Sequence, residues 1–143
     1  QVKSFLSNTS FGTIDQLRVE LETTYKGVQI TLESDDDKNI DCMWIPGKTE
    51  DESFEGREEQ MLPTIVYCNP NAFLYESFQF ENEWLEFYRN LGINMFLWNY
   101  RGFGRSEGSP DPAKMLEDAE MIIDYLRNQR GIRKSKLALN LKF

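Results

Sequence analysis

Apolar and polar residues alternate from Gly27 to Ser34 (GVQITLES), the pattern of a strand with one buried face. The stretch before it, SFGTIDQLRVELETTYKG, fits a strand or a helix. Asp35-Asp36-Asp37-Lys38-Asn39 is a polar turn, and IDCMWIP, apolar on both parities and closed by Pro46-Gly47, predicts a second strand. Residues 48–60 are mostly charged and read as a solvated hairpin loop or a local insertion. LPTIVYCNP, β-branched and aromatic, predicts a third, buried strand that stops at Asn69-Pro70.

From there the hydrophobic period becomes helical. Phe80, Trp84, Phe87, Tyr88 and Leu91 recur at three- and four-residue spacing, which predicts a helix over about 78–91 whose aromatic stripe is core, ended by Gly92. Ile93 to Trp98 is a fourth buried strand, followed by the glycine-rich run WNYRGFGRSEGSP. Asp111 at N-cap and Pro112 at the first helical position start a helix over about 112–129. Met115, Ala119, Ile122 and Leu126 share one of its faces, broadened by Leu116 and Ile123. Gly131 breaks it, and KSKLALNLKF predicts a last strand. Strands alternating with helices make this an α/β protein with a mostly parallel sheet and an antiparallel start.

The glycine run has to be weighed as a phosphate cradle. A dinucleotide fingerprint needs G-x-G-x-x-G with the helix opening on the third glycine. Gly102 and Gly104 fit, but Glu107 holds the third position, Gly108 is one residue late, and Ser109-Pro110-Asp111 delays the helix. Nor is there a G-K-[ST] ending. A structural turn is the stronger reading, and a nucleotide-binding module remains a remote alternative. The 143 residues carry a formal net charge of −8, so like charges oppose binding to nucleic acid or an anionic membrane. No histidine is present, which removes the usual general base and the commonest transition-metal ligand. Cys42 and Cys68 both fall in predicted strands, too few for a disulfide framework or a zinc site. No cofactor or metal is expected. No apolar run approaches the length of a membrane span, and a cytoplasmic or other reducing compartment fits the two thiols. The chain starts at Gln1, which leaves a processed N-terminus open.

Two motifs carry a family resemblance. Asn99-Tyr100-Arg101-Gly102-Phe103-Gly104-Arg105-Ser106-Glu107-Gly108 resembles the turn after the fourth strand of α/β-hydrolase-fold serine hydrolases. Cys68-Asn69-Pro70-Asn71-Ala72-Phe73-Leu74-Tyr75-Glu76 is similar to the loop after the third strand in abhydrolase-domain lipases and acylglycerol hydrolases. One helix and one strand separate the motifs, as in that family, and the likeness covers about residues 28–140. The resemblance implies that Asn71 and Ala72 sit where the family's loop donates a backbone N–H to the oxyanion. Pro70 stands where the family usually has glycine, and the Asn71 side chain could instead cap the helix that follows. Tyr100, Arg101, Gly102, Gly104, Ser106 and Gly108 are expected to form a structural turn beside that loop.

The family's nucleophile lies in G-x-S-x-G after the fifth strand, and no such motif occurs in these residues. Ser106 has no nameable base, and Glu58-Glu59 and Glu117-Asp118 read as solvated pairs, so no residue is assigned a catalytic role. The expected organisation is an N-terminal extension, 1–27, followed by the N-terminal half of an α/β-hydrolase-like domain, 28–143, stopping before the nucleophile elbow. The expected function is that of a noncatalytic hydrolase-like subunit with a structural or interaction role in a larger assembly. The alternative is the N-terminal fragment of an active serine hydrolase acting on lipid or acyl esters. Either way, a protein partner or a missing C-terminal half is expected to cover the sheet edge near residues 135–142.

Overall fold

The computed structural model describes residues 11–49, 59–70, 73–77 and 83–141. The ambiguous first stretch is a helix, α1 (Phe11–Thr24), rich in strong helix formers from Gln16 to Glu22. Lys26 at φ 55° turns the chain out of it, and the Gly27 N–H donates to the Leu21 carbonyl at 2.9 Å.

Five strands follow in a single sheet: β1 (Val28–Glu33), β2 (Asn39–Ile45), β3 (Thr64–Cys68), β4 (Asn94–Trp98) and β5 (Leu137–Leu141). Their order is β1-β2-β4-β3-β5. β2 is antiparallel to both neighbours, with Val28 opposite Trp44 and Trp44 opposite Phe96, whereas β3 is parallel to β4 and to β5. Four of the described strands therefore run one way and β2 alone the other, which is the mostly parallel sheet with an antiparallel start that the sequence predicts. The carboxyl ends of β3, β4 and β5 come together at one edge of the molecule.

β2 is apolar on both parities because both faces of the sheet are covered. Ile40, Cys42 and Trp44 join Val66, Phe96, Trp98 and, from α3 (Pro112–Asn128), Ile122 and Leu126 in one core cluster. Met43 and Ile45 join Tyr67, Met95, Leu97, Leu21 of α1 and Leu85 of α2 (Glu83–Asn90) in the other. Thus α3 covers one face, while α1 and α2 share the opposite one. The Asp111 side chain caps α3, accepting from the N–H groups of Ala113 and Lys114 at 3.0 and 3.2 Å.

Two expected packing faces need correction. On α2 the buried residue is Leu85, with Tyr88 packed partly against the core, while Trp84, Phe87 and Leu91 stand about half exposed. The rings satisfy one another: Phe87 meets Trp84 edge-on at 6.0 Å, and Tyr88 stacks on Trp84 at 5.9 Å. Phe80 and the first turn expected for this helix, 78–82, lie outside the described residues. On α3, Leu116 is 63% exposed, whereas Asp118 is only 1% exposed. A carboxylate expected on a solvated face is buried because Arg101 is there to meet it. No helix among the described residues is long and apolar enough to cross a membrane.

Candidate functional site

The carboxyl ends of β3 and β4 release the two loops that carry the sequence motifs, and Asn99 holds them together. This side chain is fully buried, and its amide oxygen accepts from the Tyr75 N–H at 2.8 Å and from Asn69 Nδ2 at 3.4 Å. Its Nδ2 donates to Glu76 Oε2 at 2.9 Å. Asn69 Nδ2 also donates to the Trp98 carbonyl at 2.8 Å, and the Tyr100 hydroxyl donates to the Asn69 carbonyl at 2.8 Å. The loop after β3 is thereby fastened at its start, Asn69, and at Tyr75-Glu76. Asn71 and Ala72, on which the oxyanion expectation falls, lie outside the described residues.

Glycine is required where the two loops touch. Gly104 has φ 54°, and a Cβ there would lie 2.7 Å from Asn99 Nδ2 and 3.3 Å from a Leu74 methyl carbon. Gly102, at φ 80°, would drive a Cβ to 2.7 Å from the Pro110 ring. Gly108 also has positive φ, 83°.

The remaining turn residues point their polar atoms into the fold. Ser106 Oγ donates to the Asn99 carbonyl at 2.7 Å and accepts from the Asp41 N–H at 2.9 Å. Glu107 accepts from the Asn39 N–H at 2.9 Å through its side chain and from the Gly102 N–H through its carbonyl. Arg101 is 3% exposed and forks onto Asp118, with Nε to Oδ2 at 2.8 Å and Nη2 to Oδ1 at 2.7 Å. Its Nη1 donates to Asp36 Oδ2 at 2.9 Å, so one guanidinium ties the β1–β2 turn, the glycine run and α3 together. Hydrogen bonds to Asp118 and then to Asp36 hold Arg101 charged beyond its ordinary range, despite burial. Asp36 is held well below the usual carboxylate range by the hydrogen bond from Arg101 and, next, by that from Ser34.

Sequence reasoning did not single out Arg18, which lies on the far side of the same loop. It is 3% exposed; Nη1 donates to Asp41 Oδ2 at 2.7 Å, to the Tyr75 hydroxyl at 2.5 Å and to Glu76 Oε1 at 2.8 Å, and Nη2 donates to Asp41 Oδ1 at 3.1 Å. The Tyr75 hydroxyl in turn donates to Asp41 Oδ2 at 3.0 Å. Burial works against the Arg18 charge, but the bond to Asp41 and the neighbouring acidic groups outweigh it and raise its pKa. Burial, then the negative fields of Glu76 and Asp41, push the Tyr75 phenol far up, so it remains a donor. Nothing in the spacing of Leu17-Arg18-Val19 distinguishes this arginine from a solvated one.

Chemically, these groups bind and position. The Ser106 hydroxyl is engaged on both sides by backbone, with no base against it. Burial raises the pKa of Cys42 and of Cys68, which keeps both as neutral thiols rather than nucleophilic thiolates.

No family model matches the sequence. The chain is 30% identical over 117 residues to the uncharacterized protein YfhR of Salmonella typhimurium, a stretch covering 82% of this chain and 37% of that protein. It is 33% identical over 88 residues to an uncharacterized membrane protein of Saccharomyces cerevisiae, covering 62% of this chain and 30% of that one. The chain thus spans 37% and 30% of the length of these two curated relatives. Among solved structures, an alpha-beta hydrolase from Vibrio vulnificus superposes with TM-score 0.67 at 22% identity, over 91% of this chain and 40% of that one. An esterase of Pyrococcus furiosus superposes with TM-score 0.63 at 12% identity, over 83% of this chain and 41% of that one. A lidless serine hydrolase from Xanthomonas campestris superposes with TM-score 0.55 at 21% identity, over 79% and 49%.

Proposed function

Because this chain has the N-terminal half of an α/β-hydrolase fold, we propose that it is the scaffold half of an ester-hydrolysing site, inert by itself and completed by residues outside these 143. The observation that carries the reading is the fastening of the loop after β3 to the turn after β4 through Asn99, at the carboxyl ends of the parallel strands. In this reading the backbone of Asn71 and Ala72 faces the oxyanion, and the nucleophile, acid and base come from the completing residues. Lipid or acyl esters are the substrate class. The completing segment also covers the outer edge of β5, where Leu139 is 51% exposed.

A second reading has an observation of its own. Pro70 stands at the start of the loop, where it removes an N–H that glycine would supply. A hydrolase-like subunit that has given up catalysis and serves an assembly structurally would carry this feature. Labelling with a serine-directed fluorophosphonate separates the two. The 143-residue chain should take no label; stoichiometric labelling of Ser106 would overturn both readings. The protein isolated from its native source should be labelled and should hydrolyse short acyl esters. If it takes no label and has no esterase activity, the structural subunit is the surviving reading.

A further inference from the structure

We infer that α1 is the positioning element of the loop after β3, and that Arg18 is the residue through which it acts. The inference rests on the reading above for its catalytic meaning, although the contacts do not depend on it. Among the described residues 73–77, Glu76 is the only charged one, and it faces inward, 1% exposed. A buried carboxylate requires charge compensation and donors. Asn99 Nδ2 supplies a neutral donor and Arg18 Nη1 the cation, at 2.9 and 2.8 Å. The same guanidinium grips Asp41, on β2 of the sheet. Helix, loop and strand therefore meet at one fork, and the loop's charge is neutralised from a helix that precedes the sheet.

The fork also faces a charge imbalance. Arg18 brings one positive charge to two buried carboxylates, Asp41 and Glu76, with the Tyr75 hydroxyl and Gln29 Nε2 as further donors to Asp41. Without the guanidinium the two carboxylates repel across Tyr75, and the part free to move apart is the loop, since Asp41 is fixed opposite Thr31 in the β1–β2 ladder and its carbonyl accepts from the Asn99 N–H at 3.0 Å. An apolar substitute for the latch is small: Leu21 is the one fully buried hydrophobic residue that α1 adds to the core among its described side chains.

Residue-resolved hydrogen exchange tests this. In Arg18→Met, the Tyr75 and Ser77 amides should exchange at least about tenfold faster, while the Phe96 and Leu97 amides of β4 keep their protection. Arg18→Lys, which keeps the charge but not the fork, should restore part of the Tyr75 protection. If Arg18→Met does not fold, the neutral combination Arg18→Met, Asp41→Asn, Glu76→Gln serves in its place; with the repulsion gone it should show a smaller but still selective loss, from the missing Arg18 hydrogen bonds alone. Wild-type exchange at Tyr75 in the neutral combination, or equal loss of protection in the loop and in β4, would overturn the inference. Absence of esterase activity in the native protein would remove the proposed function and leave this exchange pattern standing.

Discussion

At the scale of single residues, Arg101 joins three separate parts of the chain, the β1–β2 turn, the glycine run and α3. It is buried with Asp118, and Arg101→Met leaves that carboxylate unpaired inside the fold, so the substitution should cost about 3–5 kcal/mol in urea unfolding. An unchanged midpoint would refute the pairing argument. Asp36 gives a pH dependence whose sign follows from its lowered pKa. In the unfolded chain it titrates near about 3.9, so its contribution is present above about pH 4 and is lost as the pH falls below that. Asp36→Asn should therefore flatten the acid limb of a stability profile; superimposable limbs would count against the bond to Arg101. Neither partner of Arg101 is legible in the sequence. Asp118 reads as solvated because its helix position looks like its neighbour Glu117, which is indeed exposed and pairs with Lys114. What separates the two is an arginine brought in by the strand before, and no local spacing records that.

Elements were legible where their ends carry chemistry. β4 and α3 stand within a residue of the expected bounds because Gly92, Asp111 and Pro112 each impose a backbone conformation. Asp111→Ala should lower stability by about 1 kcal/mol, since the Ala113 and Lys114 N–H groups lose their acceptor. The glycine turn is a harder constraint. Gly104→Ala combines positive φ with a close contact to Asn99 Nδ2, and should cost about 1–3 kcal/mol while weakening protection of the Tyr75 amide. Wild-type stability in that variant would mean the turn can relax away from Asn99. The aromatic stripe of α2 misleads for a physical reason: spacing identifies a face but not which face turns inward, and it is Leu85, outside the stripe, that packs with Met43, Tyr67 and Leu97 while Trp84 stays half exposed.

At the scale of the whole molecule, the α/β class and the antiparallel start follow from residue patterns, whereas the order that seats β4 between β2 and β3 is recorded by no local pattern in the sequence. Two strand edges and one helix face remain open among the described residues: β1 beyond its pairing with β2, β5 beyond its pairing with β3, and the outer side of α2. The 143-residue chain should therefore self-associate as its concentration rises, and Leu139→Lys should shift sedimentation velocity profiles toward monomer. A chain that sediments as monomer at high concentration would show that none of these surfaces needs cover. The three tryptophans occupy three distinct surroundings, which makes these surfaces separately visible to light. Trp44 lies beneath the Arg130 guanidinium at 4.6 Å and donates to Glu59, and Trp98 is buried edge-on against Tyr100. Trp84 alone is half exposed, so its emission should be the reddest and the one that iodide quenches. Whatever comes to lie on α2 will announce itself as a blue shift and lost quenching, without any label attached to the protein.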